Sequence, residues 1–190
     1  MNTALACSRR ADTHWGSVRG FASRLRAVDY QRKAEYSATI AAFREVLQLF
    51  RSSSAENERV AQTLIELAEI ERTGEDLAAA ERDYREALRV ARAVNYKEGI
   101  VTCTSELAEL VLDQKNWPEA ETLAHEALHL SERMDRQELI ADNCHRLAQA
   151  LIRQGKDGAL PHARRAVDIY TWLRSPNLKD ARATLRECEG

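Results

Sequence analysis

The sequence predicts an all-α fold, with about four helical hairpins and a C-terminal capping helix. Only 7 glycines and 3 prolines occur in 190 residues, so few positions force a helix to stop. Ala, Leu, Glu and Arg, all strong helix formers, dominate the composition. One pattern of small and apolar residues also returns about every 40 residues, as it does when similar hairpins follow one another. We therefore expect about nine helices and no sheet.

The repeat is clearest in the second helix of each hairpin, where one column holds a small or β-branched residue. Its members are Val46, Ala87, Ala127 and Ala166. A Leu-Ala pair precedes three of these positions and marks the first helix, called helix A below. These pairs begin at Leu67, Leu107 and Leu147. The predicted helix pairs lie near residues 21–50, 58–94, 98–134 and 138–173, followed by a capping helix near 176–188.

Local signals support these boundaries. Asp76 is a good N-cap, and Asn116 with Glu119 has the spacing of a capping box. Gly155 suits the end of a helix A, and Ser175-Pro176 suits the start of the capping helix. We divide the chain into an N-terminal segment of unspecified structure, 1–20, the repeat array, 21–174, and the capping helix with its tail, 175–190. Together they are expected to make one structural domain.

The residues of the second hairpin resemble the tetratricopeptide repeat (TPR). Leu67, Ala68, Ala80, Tyr84 and Ala87 match the spacing of that family's signature. The period near 40 is similar to a long variant found in bacterial signalling NTPases and transcriptional regulators. The resemblance implies a right-handed α-solenoid that acts as a non-catalytic scaffold or sensor, binding a protein segment on its concave face. It also implies that the partner is another protein or another domain of a larger polypeptide.

A zinc-peptidase motif, HExxH, occurs at His125-Glu126-Ala127-Leu128-His129. Its histidines align with Arg85 and Arg89 of the preceding repeat, so we expect both to face water on a helix without a cleft. A zinc metallopeptidase is therefore the weaker alternative, and a purely structural oligomerisation element is another. The main prediction is a non-enzyme without metal or cofactor, and the scattered glycines form no phosphate-binding loop.

The charge distribution suggests where a partner binds. Residues 61–143 carry 19 acidic and 9 basic side chains, while both ends of the chain are mildly basic. On the helix A face, Glu66 and Glu69 recur as Glu106 and Glu109 after 40 residues. We therefore expect a groove that attracts a basic segment and is anchored by apolar contacts. The predicted partner-binding residues are Ile65, Glu66, Glu69, Glu106, Glu109, Leu112, Asp113, His145 and Gln149.

Nothing in the composition favours nucleic acid or membrane as a partner. Basic pairs such as Arg164-Arg165 are too short for a nucleic-acid surface. No apolar run reaches the ~18 residues of a membrane span. The four cysteines, at positions 7, 103, 144 and 188, have no metal-binding or redox spacing. We expect a cytoplasmic protein, and the sequence leaves the oligomeric state open.

Overall fold

A computed structural model describes Asp12, His14, Trp15, Arg19, residues 33–53 and residues 56–190. Within these residues the chain forms eight α-helices and no β-strand. The helices are α1 (Lys33–Ser53), α2 (Glu58–Thr73), α3 (Leu77–Ala93), α4 (Lys97–Asp113), α5 (Trp117–Arg133), α6 (Gln137–Arg153), α7 (Ala159–Leu173) and α8 (Leu178–Glu189). The all-α helical-repeat prediction is confirmed. Helix A of the first hairpin, predicted near 21–32, lies outside the described residues.

The chain divides into two compact units. Unit 1 covers residues 1–103 and unit 2 covers residues 104–190, so the boundary falls within α4. In unit 1, α2 packs against both α1 and α3. In unit 2, α6 packs against α5 and α7, while α8 packs against α7 and also contacts α6. In each unit the apolar stripe of one helix is thus buried against the helices next to it in sequence.

The turns follow a period of 20 residues that the sequence analysis did not recognise. Residues with positive φ close the helices at Glu75, Asn95, Lys115, Asp135 and Gly155. After each, the next amide donates a hydrogen bond to the carbonyl five residues back, as in Asp76 to Glu71 at 2.9 Å. This is the Schellman motif, in which a left-handed residue satisfies the last carbonyls of a helix. Gly155 is the glycine predicted to end its helix.

The alanine column forms the centre of each unit. In unit 1, Val46 and Ala87 are fully buried, and so is the large side chain of Tyr84. In unit 2, Ala127 and Ala166 are fully buried. Small side chains at these positions let helix backbones approach closely. The apolar stripe of the capping helix also packs on the unit 2 core through Leu178, Ala181, Leu185 and Cys188.

Two of the three helix starts predicted from local signals differ in detail from the prediction. Asp76 caps α3 as expected, since its carboxylate accepts from the Ala79 amide at 3.1 Å. Asn116 makes no such bond to the backbone of α5, and its side-chain amide instead donates to the Glu119 carboxylate at 2.6 Å. The capping helix begins at Leu178 rather than near 176, because Ser175 and Pro176 lie in the preceding turn.

Candidate functional site

A cavity of about 300 Å³ opens on the helix A face of unit 2. The last turns of α4, the length of α6, the end of α7 and the start of α8 surround it. Its lining residues are Glu109, Leu112, Asp113, Asp142, His145, Arg146, Gln149, Tyr170, Asn177 and Asp180. Helical spacing explains the largest contribution, since positions 142, 145, 146 and 149 share one face of α6.

Arg146 ties α6 to α4 on one wall of this cavity. Its guanidinium donates to the Glu109 carboxylate and to the Ser105 hydroxyl, each at 2.6 Å, and lies 3.9 Å from Glu106. Its side chain is 12% exposed, and burial lowers its pKa. The carboxylates of Glu106, Glu109 and Asp142 more than offset this effect, so the pKa of Arg146 is raised. Arg146 is therefore a permanent cation built into the wall.

Asp142 and Tyr170 form another part of the cavity wall. The Tyr170 hydroxyl donates to Asp142 at 2.6 Å, and burial followed by this negative charge raises the pKa of Tyr170. Next to them, the Nε2 atom of His145 lies 2.9 Å from the Thr184 hydroxyl of α8. Burial and the nearby Arg146 lower the pKa of His145. His145 is therefore neutral at pH 7, and the tyrosine stays protonated as a hydrogen-bond donor.

The cavity has a negative charge balance. Four carboxylates and one guanidinium line it, because His145 is uncharged at pH 7. Two of the acids, Asp113 and Asp180, are exposed at the rim. Leu112 is half-buried and supplies apolar surface against the small cluster of Val111, Ala120 and Ala150. Such a site favours a group that carries positive charge on an apolar stem.

Five of the nine predicted partner-binding residues meet in this cavity. They are Glu109, Leu112, Asp113, His145 and Gln149. Glu106 lies behind them, 3.9 Å from Arg146. Tyr170, Asn177 and Asp180 were not predicted, since they come from α7 and the start of α8 and have no counterpart in the repeat pattern.

The other three predicted residues line a second cavity, of about 190 Å³, in unit 1. These are Ile65, Glu66 and Glu69, together with Trp15, Arg19, Gln62, Tyr96, Glu98 and Thr102. The guanidinium carbons of Arg19 and Arg59 lie 4.9 and 4.8 Å from the centre of the Trp15 ring. Ile65 is 8% exposed, so it offers less apolar surface to a partner than we expected.

Several of the predicted carboxylates already face an arginine. Glu66 pairs with Arg19 at 2.7 Å in unit 1, and Glu109 pairs with Arg146 at 2.6 Å in unit 2. Residue 146 occupies the same column as Glu66 and Glu106. The charge at this column therefore changes from negative to positive in the fourth hairpin. The expected line of unopposed negative charge is therefore weakened at these positions, and the negative balance of unit 2 comes from Asp113, Asp142 and Asp180.

The zinc-peptidase motif lies elsewhere, on α5. His125 and His129 are exposed as predicted, and the His125 ring contacts the edge of His162 with 6.1 Å between ring centres. In the described ranges, no group of three His, Cys, Asp or Glu side chains could hold a metal ion.

A tetratricopeptide-repeat family model matches residues 60–95 and 100–134. These stretches coincide with hairpins α2–α3 and α4–α5. Over these two stretches the chain is similar to tetratricopeptide repeats. TPR arrays generally mediate protein–protein interaction, and the fold is typically a non-catalytic interaction module. A search of curated protein sequences finds no match.

Solved structures share the TPR fold. Two crystal structures of nearly identical TPR-like repeats of a kinesin light chain type from Podosopora anserina, one of them a single-substitution variant, superpose with TM-scores of 0.71 and 0.69. Both are 16% identical, and the match covers 91% of this chain and 84% of theirs. BtubC (BKLC) from P. vanneervenii gives a TM-score of 0.61 at 20% identity, covering 95% and 82%. Across the residues that the structure describes, no helix is long and apolar enough to cross a membrane.

Proposed function

We propose that this TPR protein is a scaffold or sensor module that binds a protein segment on its helix A face. The unit 2 cavity is the proposed receptor for a basic side chain of that segment. One observation carries the proposal, namely four carboxylates and a single arginine around a cavity of about 300 Å³. The predicted sites on unit 1, at Ile65, Glu66 and Glu69, are proposed as secondary contacts.

The shape and polarity of the cavity suit a lysine or arginine. The apolar stem of either side chain can lie along Leu112, while its head reaches Asp142 and the rim acids. Arg146 also lines the cavity, and its guanidinium already donates hydrogen bonds to Glu109 and Ser105. Its positive charge therefore limits where the incoming cation can lie, and it does not compete with that cation for the carboxylates at the rim. Exposed ion pairs contribute only about 0–1 kcal/mol each, so the apolar contact and several acids must act together.

The test is a selection of random peptides displayed on phage against the intact chain. We expect the enriched peptides to contain Lys or Arg. We also expect the double charge reversal Asp113→Lys/Asp180→Lys to weaken their binding by about tenfold, with a smaller salt dependence. Both residues are exposed, so the substitutions bury no charge.

The matched control is Asp168→Lys, which reverses an exposed carboxylate of α7 that does not line the cavity. Its peptide affinities should equal those of the unmodified chain. The proposal is contradicted if the enriched peptides lack basic residues, or if the control weakens binding as much as the double reversal.

A further inference from the structure

Glu71 is an acidic side chain at a position where the repeat places an apolar one. It follows Leu67 by four residues, as Val111 follows Leu107 and Leu151 follows Leu147. Val111 and Leu151 are buried, and the Glu71 side chain is likewise only 1% exposed. The core of hairpin α2–α3 in unit 1 therefore contains a carboxyl group at a position that is apolar in α4 and α6.

Charged groups from both neighbouring helices face this carboxyl group. Arg44 of α1 lies 3.1 Å from Glu71, and Arg82 of α3 lies 3.9 Å from it. The third charged group is Asp83, also on α3, which accepts a hydrogen bond from Arg82 at 2.9 Å and is itself buried. Both arginines are more than half exposed, so water screens much of their attraction for Glu71.

One oxygen of Glu71 has no hydrogen-bond donor among the residues that the structure describes. Its Oε2 atom is buried without a partner, and the Asp83 carboxyl group is within hydrogen-bonding reach of the side chain. Two carboxylates in contact away from water cannot both be ionised, whereas one proton makes one of them a donor to the other. Burial, and then Asp83, raise the pKa of Glu71 to about 7, against the smaller opposing effect of Arg44 and Arg82.

We propose that Glu71 and Asp83 form a proton-binding site that joins α2 to α3 and makes the stability of this hairpin depend on pH. The bound proton completes the hydrogen bond between the two carboxyl groups. When the proton leaves, two negative charges remain in the hairpin core, and the described cations that face them, Arg44 and Arg82, are more than half exposed. A single titration thus acts on a contact between two helices of the repeat.

The direction of the effect follows from proton binding in the two states. The folded chain keeps this proton to a higher pH than the unfolded chain does, because the pKa of Glu71 is raised on folding. The stabilisation is complete below the ordinary glutamate pKa. It then falls as pH rises toward about 7 and is lost above that value.

The first test is a carbon-13 NMR titration of the side-chain carboxyl groups in the intact chain. We expect Glu71 to titrate near pH 7, and Asp83→Asn to move its midpoint down by about one unit or more, since it removes the like charge. Titration of Glu71 in the ordinary glutamate range would overturn the proposal.

The second test compares urea midpoints at pH 5 and pH 8. For the unmodified chain the urea midpoint should be lower at pH 8 than at pH 5. Glu71→Gln should make this difference smaller. Glu81→Gln is the control, because it makes the same chemical change on the outer side of α3, where Glu81 pairs with Arg85. Parallel pH dependences for Glu71→Gln and the unmodified chain would refute the site. If Glu71→Gln does not fold, Glu71→Leu restores the residue type of position 151.

Discussion

The cavities on the helix A faces of α2 and α6 occupy the same four helix positions, 80 residues apart, but their chemistry differs. In unit 1 these positions hold Gln62, Ile65, Glu66 and Glu69, and in unit 2 they hold Asp142, His145, Arg146 and Gln149. The repeated core residues place a cavity at the same point of each unit. The residues that do not repeat decide which ligand each cavity suits.

The charged pairs in the two cavities also differ in how strongly they are held. Arg146 is 12% exposed and bridges two helices of unit 2, while Arg19, which pairs with Glu66 in unit 1, is 53% exposed. A buried pair cannot exchange its partner for water without a large desolvation cost. The wall of the unit 2 cavity should therefore be rigid, whereas the pair in unit 1 should contribute little to stability.

Substituting the charged residue at this column in each cavity should give the largest difference in stability between the two units. Arg146→Ala should lower the free energy of unfolding by about 2–3 kcal/mol, because it leaves Glu106 and Glu109 without their cation in a partly buried site. Glu66→Ala, at the same column of unit 1, should cost about 0–1 kcal/mol, because its partner Arg19 is 53% exposed and water can solvate it when the carboxylate is removed. Urea unfolding followed by circular dichroism measures both. Equal losses would show that the two cavities are built alike.

Core substitutions should, in contrast, act equally in both units. Ala87→Leu and Ala127→Leu each place a large side chain at a fully buried helix crossing. Each should lower the free energy of unfolding by about 1–3 kcal/mol through overpacking. A thermal melt unchanged by either substitution would contradict the shared core on which the comparison of the cavities depends.

The tyrosines in the two cavities should differ by a smaller amount. Tyr170→Phe removes a 2.6 Å hydrogen bond to an aspartate and should cost about 1–2 kcal/mol. Tyr96→Phe removes only a 3.4 Å contact from Gln62 in unit 1 and should cost less than about 0.5 kcal/mol. The urea midpoints of the two variants show whether Tyr170→Phe is more destabilising than Tyr96→Phe, as expected, or less.

The last expected effect, also a small one, concerns the turns. Lys115 adopts φ 63°, which favours glycine, and Gly155 has the same value in its own turn. Lys115→Gly should raise the free energy of unfolding by about 0.5–1 kcal/mol, and Gly155→Ala should lower it by a similar amount. If the two substitutions shift the melting temperature in the same direction, the turns are not equivalent.

The sequence predicted the fold well because the evidence for it is repeated. Small residues at Ala87, Ala127 and Ala166 are required at every helix crossing, so their spacing identifies each hairpin. The helix A residues of the candidate site could also be predicted, because the helical period tells which residues share one face.

What the sequence did not show are contacts between residues far apart in the chain. The bond from Tyr170 to Asp142 and the pairing of Arg146 with Glu109 depend on how α4, α6 and α7 meet. Glu71 did leave a signal, because it lies on the apolar stripe of α2 and aligns with Val111 and Leu151. An acid in an apolar column indicates either a register error or a buried titratable group.

The uniform turns bear on how such a chain can change its length. Helices α3 to α6 each contain 17 residues and are separated by turns with one backbone geometry. A genetic crossover in one of these turns can therefore join it to any other without requiring a new backbone conformation. Duplication or loss of whole hairpins would keep every joint intact, and only the cavity side chains would then have to diverge.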